Sequence, residues 1–314
     1  MEPVDLHRKR WDGRSGRLEV WYTTATDEAT GTGLWLHHEV VSPTDGAPAY
    51  GHGWAAVFPP GRPPTYERFG PHPVEPSTPG FAVPDVTAGQ DSLHGKTGRL
   101  SWDLAVGDGG AALYTFPRWA WQNDVLPAAQ VVARPTARVT GQVRVDGEDR
   151  VVDGPGASAR IYGHGNAERW AWLHADLGGG DVLEVVSAVS RRAGMRHLRP
   201  LSFVQLRVDG REWPRHPLLA APLFRAEPAL LEWTVTGVAG RHRLTAQVRL
   251  DPAESLALDY RDPDGSPAVC TNSERASAVV VLERWDSPRW TVRRRWHLDG
   301  TAHAEVGTRD LSVQ

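Results

Sequence analysis

A single cysteine, Cys270, stands in a chain of 314 residues, and it excludes an intramolecular disulfide and any metal site built from several thiolates. No run of about eighteen apolar residues is present. No apolar signal region follows Met1, so the sequence predicts a cytoplasmic protein with no stable membrane anchor. Basic charge is not in surplus: the formal net charge is −3, which leaves no whole-chain footprint for nucleic acid. The dense basic run Arg293, Arg294, Arg295 reads as the solvated face and end of a late strand. Long capped amphipathic helices, a Gly-x-Ser-x-Gly nucleophile elbow and a phosphate-cradling glycine loop are all missing. No histidine lies near Cys270 in sequence to form a thiolate pair with it.

Tryptophan, by contrast, is abundant, with fourteen against six Tyr and six Phe. The indole combines a large apolar area with an N–H that wants a partner, which suits cores and aromatic-lined ligand cavities alike. Short alternating runs recur between Asp-Gly turns such as Asp45-Gly46, Asp146-Gly147 and Asp264-Gly265, the signature of an all-β chain. Strands are expected over 18–23, 34–41, 52–58, 100–106, 112–116, 139–145, 170–177, 182–190, 203–208, 233–238, 243–250, 278–285, 290–298 and 303–307. So many strands suggest two barrels or sandwiches, divided as 1–165 and 166–314. The Pro- and Gly-rich stretch 59–84 reads as a long surface or lid-like loop, and 214–228 as a short helix or crossover loop.

Residues 170–177 alternate strictly, with Trp170, Trp172, His174 and Asp176 on one face and Ala171, Leu173, Ala175 and Leu177 on the other. The small apolar face can pack on a core alone, so the first face is expected to line a cleft. Asp176 either orients His174 for acid–base work or bonds the glycine turn at 178–180. His164, between two glycines after Tyr162, is a candidate proton donor, with Tyr162 as a second; a loop histidine bonded to local backbone and a packed rim tyrosine are the plain alternatives. In 35–39, Trp35, His37 and Glu39 share a face opposite His38. With His52 and Trp54 on the next strand a metal site is conceivable, but the spacing is not that of a cupin, and no metal and no cofactor is expected. Trp21, Tyr22, Trp119 and Trp121 complete the candidate aromatic lining.

Several local patterns resemble the two-domain lipocalin-like family that includes carotenoid 1,2-hydratase (hydroxyneurosporene synthase) and the AttH-like proteins. They are Glu19-Val20-Trp21-Tyr22 early in the chain, Tyr162-Gly163-His164-Gly165-Asn166 followed by the aromatic strand, and Gly300 to Gly307 near the end, with His303 replacing an aromatic and Glu305 kept. The resemblance implies two lipocalin-like antiparallel β-barrels packed side by side, with a ligand cleft in one or between both. Family members include a hydratase and pericyclases, so fold alone does not fix function. Asn166 stands where the hydratase branch has Trp, which weakens the expectation of carotenoid hydration. The expected function is a cofactor-independent enzyme acting on a hydrophobic polyene, terpenoid or polyketide by proton donation or by enforcing a reactive fold. The alternative is a carrier of hydrophobic ligands, for which an almost wholly apolar lining is expected, without an ionisable group of shifted pKa.

Overall fold

The computed structural model of the chain describes residues 6–123 and 126–310. Ten strands form a first sheet: β1 (Arg17–Thr26), β2 (Gly33–Ser42), β3 (Tyr50–Phe58), β4 (Thr65–Pro73), β5 (Phe81–Val83), β6 (Val86–Ala88), β7 (Ser92–Thr97), β8 (Leu100–Val106), β9 (Ala128–Val145) and β10 (Glu148–Gly163). Ten more form a second: β11 (Arg169–Gly178), β12 (Asp181–Val189), β13 (Leu201–Val208), β14 (Arg211–Trp213), β15 (Phe224–Glu227), β16 (Glu232–Ala239), β17 (His242–Arg249), β18 (Leu256–Arg261), β19 (Pro267–Asp286) and β20 (Arg289–Thr308). The first sheet runs β4-β3-β2-β1-β10-β9-β8-β7-β6-β5; the second runs β14-β13-β12-β11-β20-β19-β17-β16-β15, with β18 on β19. Each brings its two ends together. Phe81 on β5 lies 6.0 Å, ring to ring, from both Phe69 on β4 and Trp21 on β1, and Trp213 on β14 lies 5.7 Å from Phe224 on β15. The fold is two lipocalin-like antiparallel barrels side by side, and the chain crosses between them after Gly163.

Alternation decides what each barrel encloses. Ala171, Leu173 and Ala175 of β11 join Val185, Trp233, Val248 and Val280 in the second core, and Leu36 and Val40 of β2 join Val131, Val139 and Trp102 in the first. The first barrel also holds a buried ion pair, Glu19 with Arg160. The segment before β1 seals it: the backbone N–H groups of Arg10 and Trp11 each donate to Glu19 at 2.7 Å. The Arg10 guanidinium stacks 4.2 Å from the Tyr162 ring and 4.7 Å from Trp121, while Arg160 stacks 4.0 Å from Trp21.

Three sequence expectations change. The stretch 59–84 is no lid: it contains β4 and β5, and β4 is an edge strand, where Pro71 and Pro73 cost no ladder hydrogen bond. Residues 112–116 form only the bridge Leu113 to Val132 rather than a strand. The 16-residue β10 and the short β18 were hidden by Gly154-Pro155-Gly156 and by charged alternate positions. The stretch 214–228 holds the short helix α2 (Pro217–Ala220) and β15; before β9, α1 (Arg118–Gln122) is one further short helix. Arg293, Arg294 and Arg295 lie exposed on β20.

Candidate active site at the seam between the barrels

The outer faces of the barrels meet in a seam, and alternation again selects its residues. From the first barrel come Tyr22 and Thr24 of β1, Trp35, His37 and Glu39 of β2, His52 and Trp54 of β3 and Gln130 of β9. From the second come Trp170, Trp172 and His174 of β11, Glu184 of β12, Tyr260 of β18, Cys270, Asn272 and Glu274 of β19, and His303 and Glu305 of β20. One apolar patch gathers Trp35, Trp54, Trp170, Tyr260 and Cys270; another gathers Val20, Tyr22, Val132, Trp172 and Val182.

Hydrogen bonds tie the two sides together. Glu184 accepts from Gln130 Nε2 at 2.8 Å, from Trp172 Nε1 at 2.6 Å and from His174 Nδ1 at 2.8 Å. Gln130 Nε2 also donates to the Tyr22 hydroxyl at 2.6 Å. Because a carboxylate only accepts, Nδ1 of His174 carries the hydrogen of that bond. Its Nε2 is buried and has no partner among the described residues. The His174 and His303 rings are stacked with centroids 6.0 Å apart. His303 Nδ1 stands 2.6 Å from Glu274, which also accepts from Thr24 Oγ1 across the seam and from Asn272 Nδ2 at 3.2 Å.

Glu305 differs from the other seam carboxylates. Glu39, Glu184 and Glu274 are fully buried, whereas Glu305 keeps some accessible surface while accepting from Trp170 Nε1 at 2.8 Å. Burial, with the Glu274 charge adding to it, lifts its carboxyl to about 7 against the hydrogen bonds of Trp170, Cys270 and Asn272. Among the described seam carboxylates, Glu305 therefore combines some accessible surface with a carboxyl lifted to about 7. Burial, together with the nearby Glu184 charge, holds the Tyr22 hydroxyl well above its usual range, so Tyr22 stays a neutral donor. The Cys270 thiol is likewise pushed up by burial and by Glu305, which removes it as a thiolate nucleophile.

A third constellation sits on the first barrel's side. Glu39 faces His37 Nε2 at 3.1 Å and His52 Nε2 at 3.5 Å. Burial alone would raise the Glu39 carboxyl, but the two imidazoles hold it down to about 2. Trp54 packs 4.9 Å from Tyr260 and 6.2 Å from Trp35, ring to ring, which encloses His37 in aromatic surface.

The sequence candidates divide accordingly. Trp170, Trp172, His174, Tyr22, Trp35, His37 and Trp54 all come together in the seam. Trp21, Trp121 and Tyr162 do not: they face the sealed interior of the first barrel, because Trp21 and Tyr22 are consecutive in a strand and must point opposite ways. Trp119 is exposed on α1. Asp176 turns away from His174 and accepts from the Gly178 N–H at 2.8 Å. His164 is on the surface, its Nδ1 2.9 Å from Arg17. Its turn is a clasp: Asn166 donates from its backbone and side chain to Asp262 at 3.0 and 2.8 Å, and Arg309 joins the same carboxylate. Gly165, at φ +131°, is required there, since a Cβ would stand 2.6 Å from Asp262. The missing Trp at 166 consequently concerns the clasp and not the seam. Glu184, Glu274, Asn272, Gln130 and Tyr260 were not foreseen. A lone Glu inside the apolar run 182–189 was the available signal.

Gly307 lies opposite Trp170, and a Cβ there would stand 2.0 Å from the indole. Gly307→Ala is expected to displace Trp170 from Glu305 and to cost about 1–3 kcal/mol of stability, in line with overpacking of a filled site. Urea unfolding followed by tryptophan fluorescence measures both effects; an unchanged midpoint and spectrum would contradict this packing.

Two barrels with an acid, an imidazole pair and indoles sandwiched between them define a class of all-β protein with its candidate site at the barrel interface. Residues 118–308 match the tocopherol cyclase-like family, and the chain belongs to it. Two uncharacterized proteins of Mycobacterium tuberculosis, from strains CDC 1551 / Oshkosh and ATCC 25618 / H37Rv, are each 46% identical over 307 residues, spanning 97% of this chain and 90% of theirs. Among solved structures, an AttH protein of Nitrosomonas europaea superposes with TM-score 0.59 at 14% identity, covering 92% of both chains. CghA in complex with Sch210972 gives 0.57 at 13% identity, covering 93% of this chain and 88% of CghA. Kievitone hydratase from Nectria haematococca gives 0.56 at 10%, covering 93% and 90%.

Proposed function

We propose that the protein is a cofactor-independent enzyme that protonates a carbon–carbon double bond of a hydrophobic isoprenoid, polyene or polyketide substrate bound in the seam, closing a ring or adding water. The observation that supports this most is Glu305, a partly accessible carboxyl held near 7 among indoles. A carrier would need no such group. The family description, tocopherol cyclase-like, and the hydratase among the solved structures of this fold agree in chemistry with the reading.

Glu305 gives its proton to one alkene carbon, leaving a carbocation on the other and a carboxylate behind. The faces of Trp170, Trp172, Trp35 and Trp54 stabilise that cation electrostatically. A hydroxyl of the substrate or a water then attacks, forming the C–O bond, and the proton it loses returns to the Glu305 carboxylate, which restores the acid. Carotenoid hydration would be one instance of this chemistry, with Trp170 and Trp172 supplying the indoles.

Incubation in D2O with a prenylated phenol or a linear polyene, followed by mass spectrometry, tests the proposal. Acid-initiated addition places one deuterium on the product carbon skeleton. A pericyclic closure gives an isomer with no deuterium, and a carrier returns the ligand unchanged; either result overturns the protonation mechanism.

A further inference from the structure

The connection between β12 and β13, residues 190–200, carries Arg191, Arg192, Arg196, His197 and Arg199 and no acidic residue. Residues 192–199 are all exposed, among them Met195 at 37% and Leu198 at 52%, with Leu201 at 45% following on β13. Such an arrangement, large apolar side chains at the tip of a cationic turn, is that of a segment which enters a lipid interface, the apolar groups burying among acyl chains while the guanidinium groups meet phosphates. The other exposed basic run differs in its charge, which is compensated: Arg293 pairs with Asp286 at 2.6 Å and Arg294 with Asp209 at 3.1 Å.

Charge is compensated on only part of the loop. Arg191 is held by Asp262 and Asp264 at 3.0 and 2.6 Å, and Arg196 faces Glu168 at 3.5 Å. Among the described residues no carboxylate pairs with Arg192 or Arg199. The turn is also braced from below. Arg169 donates to the carbonyls of Arg196 and Leu198 at 3.1 Å each, Arg196 donates to the carbonyl of Arg191, and the Met195 and Leu198 N–H groups close successive turns. The exposed side chains are thus presented by an ordered backbone, which lowers the entropy lost on docking. The net charge of −3 would not bring the whole molecule to an anionic surface, so attraction has to be local.

We infer that residues 190–201 form a docking site for an anionic lipid bilayer, one that binds reversibly and needs no anchor. This goes beyond the activity proposed for the seam and does not depend on it. The loop leaves β12 one residue past Val189, and Ala188 is the ladder partner of Trp170, so docking would set the Trp170 end of the seam beside the membrane.

Co-sedimentation of the full chain with vesicles tests this. Binding is expected to phosphatidylcholine vesicles containing phosphatidylglycerol, to weaken with added salt, and to be much weaker on phosphatidylcholine alone. A basic side chain at such a surface is worth about fivefold in affinity, so Arg192→Gln with Arg199→Gln should reduce binding by at least about tenfold. Met195→Ser with Leu198→Ser should reduce it as well, whereas Arg293→Gln with Arg294→Gln should leave it unchanged. All three pairs are on the surface, and thermal melts verify that each variant folds. No binding to the anionic vesicles, equal binding to both vesicle types, or equal binding by the loop variants and the wild type would overturn the inference.

Discussion

Replacing Glu305 with Gln should stabilise the protein at alkaline pH while abolishing turnover. The folded state holds the Glu305 carboxyl at about 7, above its ordinary value of 4.5, so the folded protein binds that proton more tightly than the unfolded chain. The corresponding stabilisation is fully present below about pH 4.5 and is lost as pH rises through about 7. At 1.36 kcal/mol per pH unit, and allowing for the partial accessibility of the side chain, the loss amounts to about 2–3 kcal/mol. The amide that E305Q introduces is neutral throughout this range, and its oxygen would still accept from Trp170. The wild type should therefore lose stability relative to E305Q between about pH 5 and pH 9, measured by urea unfolding at both ends. Parallel pH profiles for the two proteins would show that Glu305 ionises normally.

Replacing Glu184 with Leu should be the most destabilising single change in the seam. Its carboxylate is the acceptor for Gln130, Trp172 and His174, all buried. A leucine would strand three donors out of reach of water, at a cost of about 3–5 kcal/mol. For a chain of this size that corresponds to a fall in melting temperature of roughly 10 °C. Glu184→Gln keeps the volume and one acceptor oxygen, so it should lose less than half as much stability. Equal melting temperatures for wild type and E184L would show that the network does not hold the barrels together.

Much of this was legible in the residues. The period-2 pattern of 170–177 assigned Ala171, Leu173 and Ala175 to a core and put Trp170, Trp172 and His174 on the opposite face, and that face is the seam wall. The same arithmetic applied to Trp21 and Tyr22 would have sent them to opposite sides; treating both as lining broke the rule that succeeded elsewhere. Of the two roles expected for Asp176, the bond to the glycine turn is the one present, and the partner of His174 comes from another strand although Asp176 is nearer in sequence. A strand neighbour two residues on lies about 7 Å away, whereas a cross-strand partner lies about 5 Å away. The hairpin after the glycine turn pairs His174 directly with Glu184. His164 is a different case: a glycine-flanked histidine signals an unusual backbone, and here that backbone serves the clasp that ties the linking turn to Asp262 of the second barrel.

Contacts that depend on sheet order lay beyond local reading. Nothing near Thr24 in the chain announces that Glu274 accepts from it 250 residues later. Nor does Trp35 announce its place against Tyr260. The raised carboxyl of Glu305 is a product of that assembly, since burial by both barrels and the neighbouring Glu274 charge create it together.

The direct measurement is an infrared difference spectrum of the carboxylic acid band, recorded between about pH 6 and pH 9 on the wild type and on E305Q. A protonated-carboxyl band that is present near pH 6, fades as pH rises through about 7 and is missing in E305Q is the predicted result. A wild-type spectrum with no such band near pH 6 would contradict the assignment of Glu305 as the seam's proton donor.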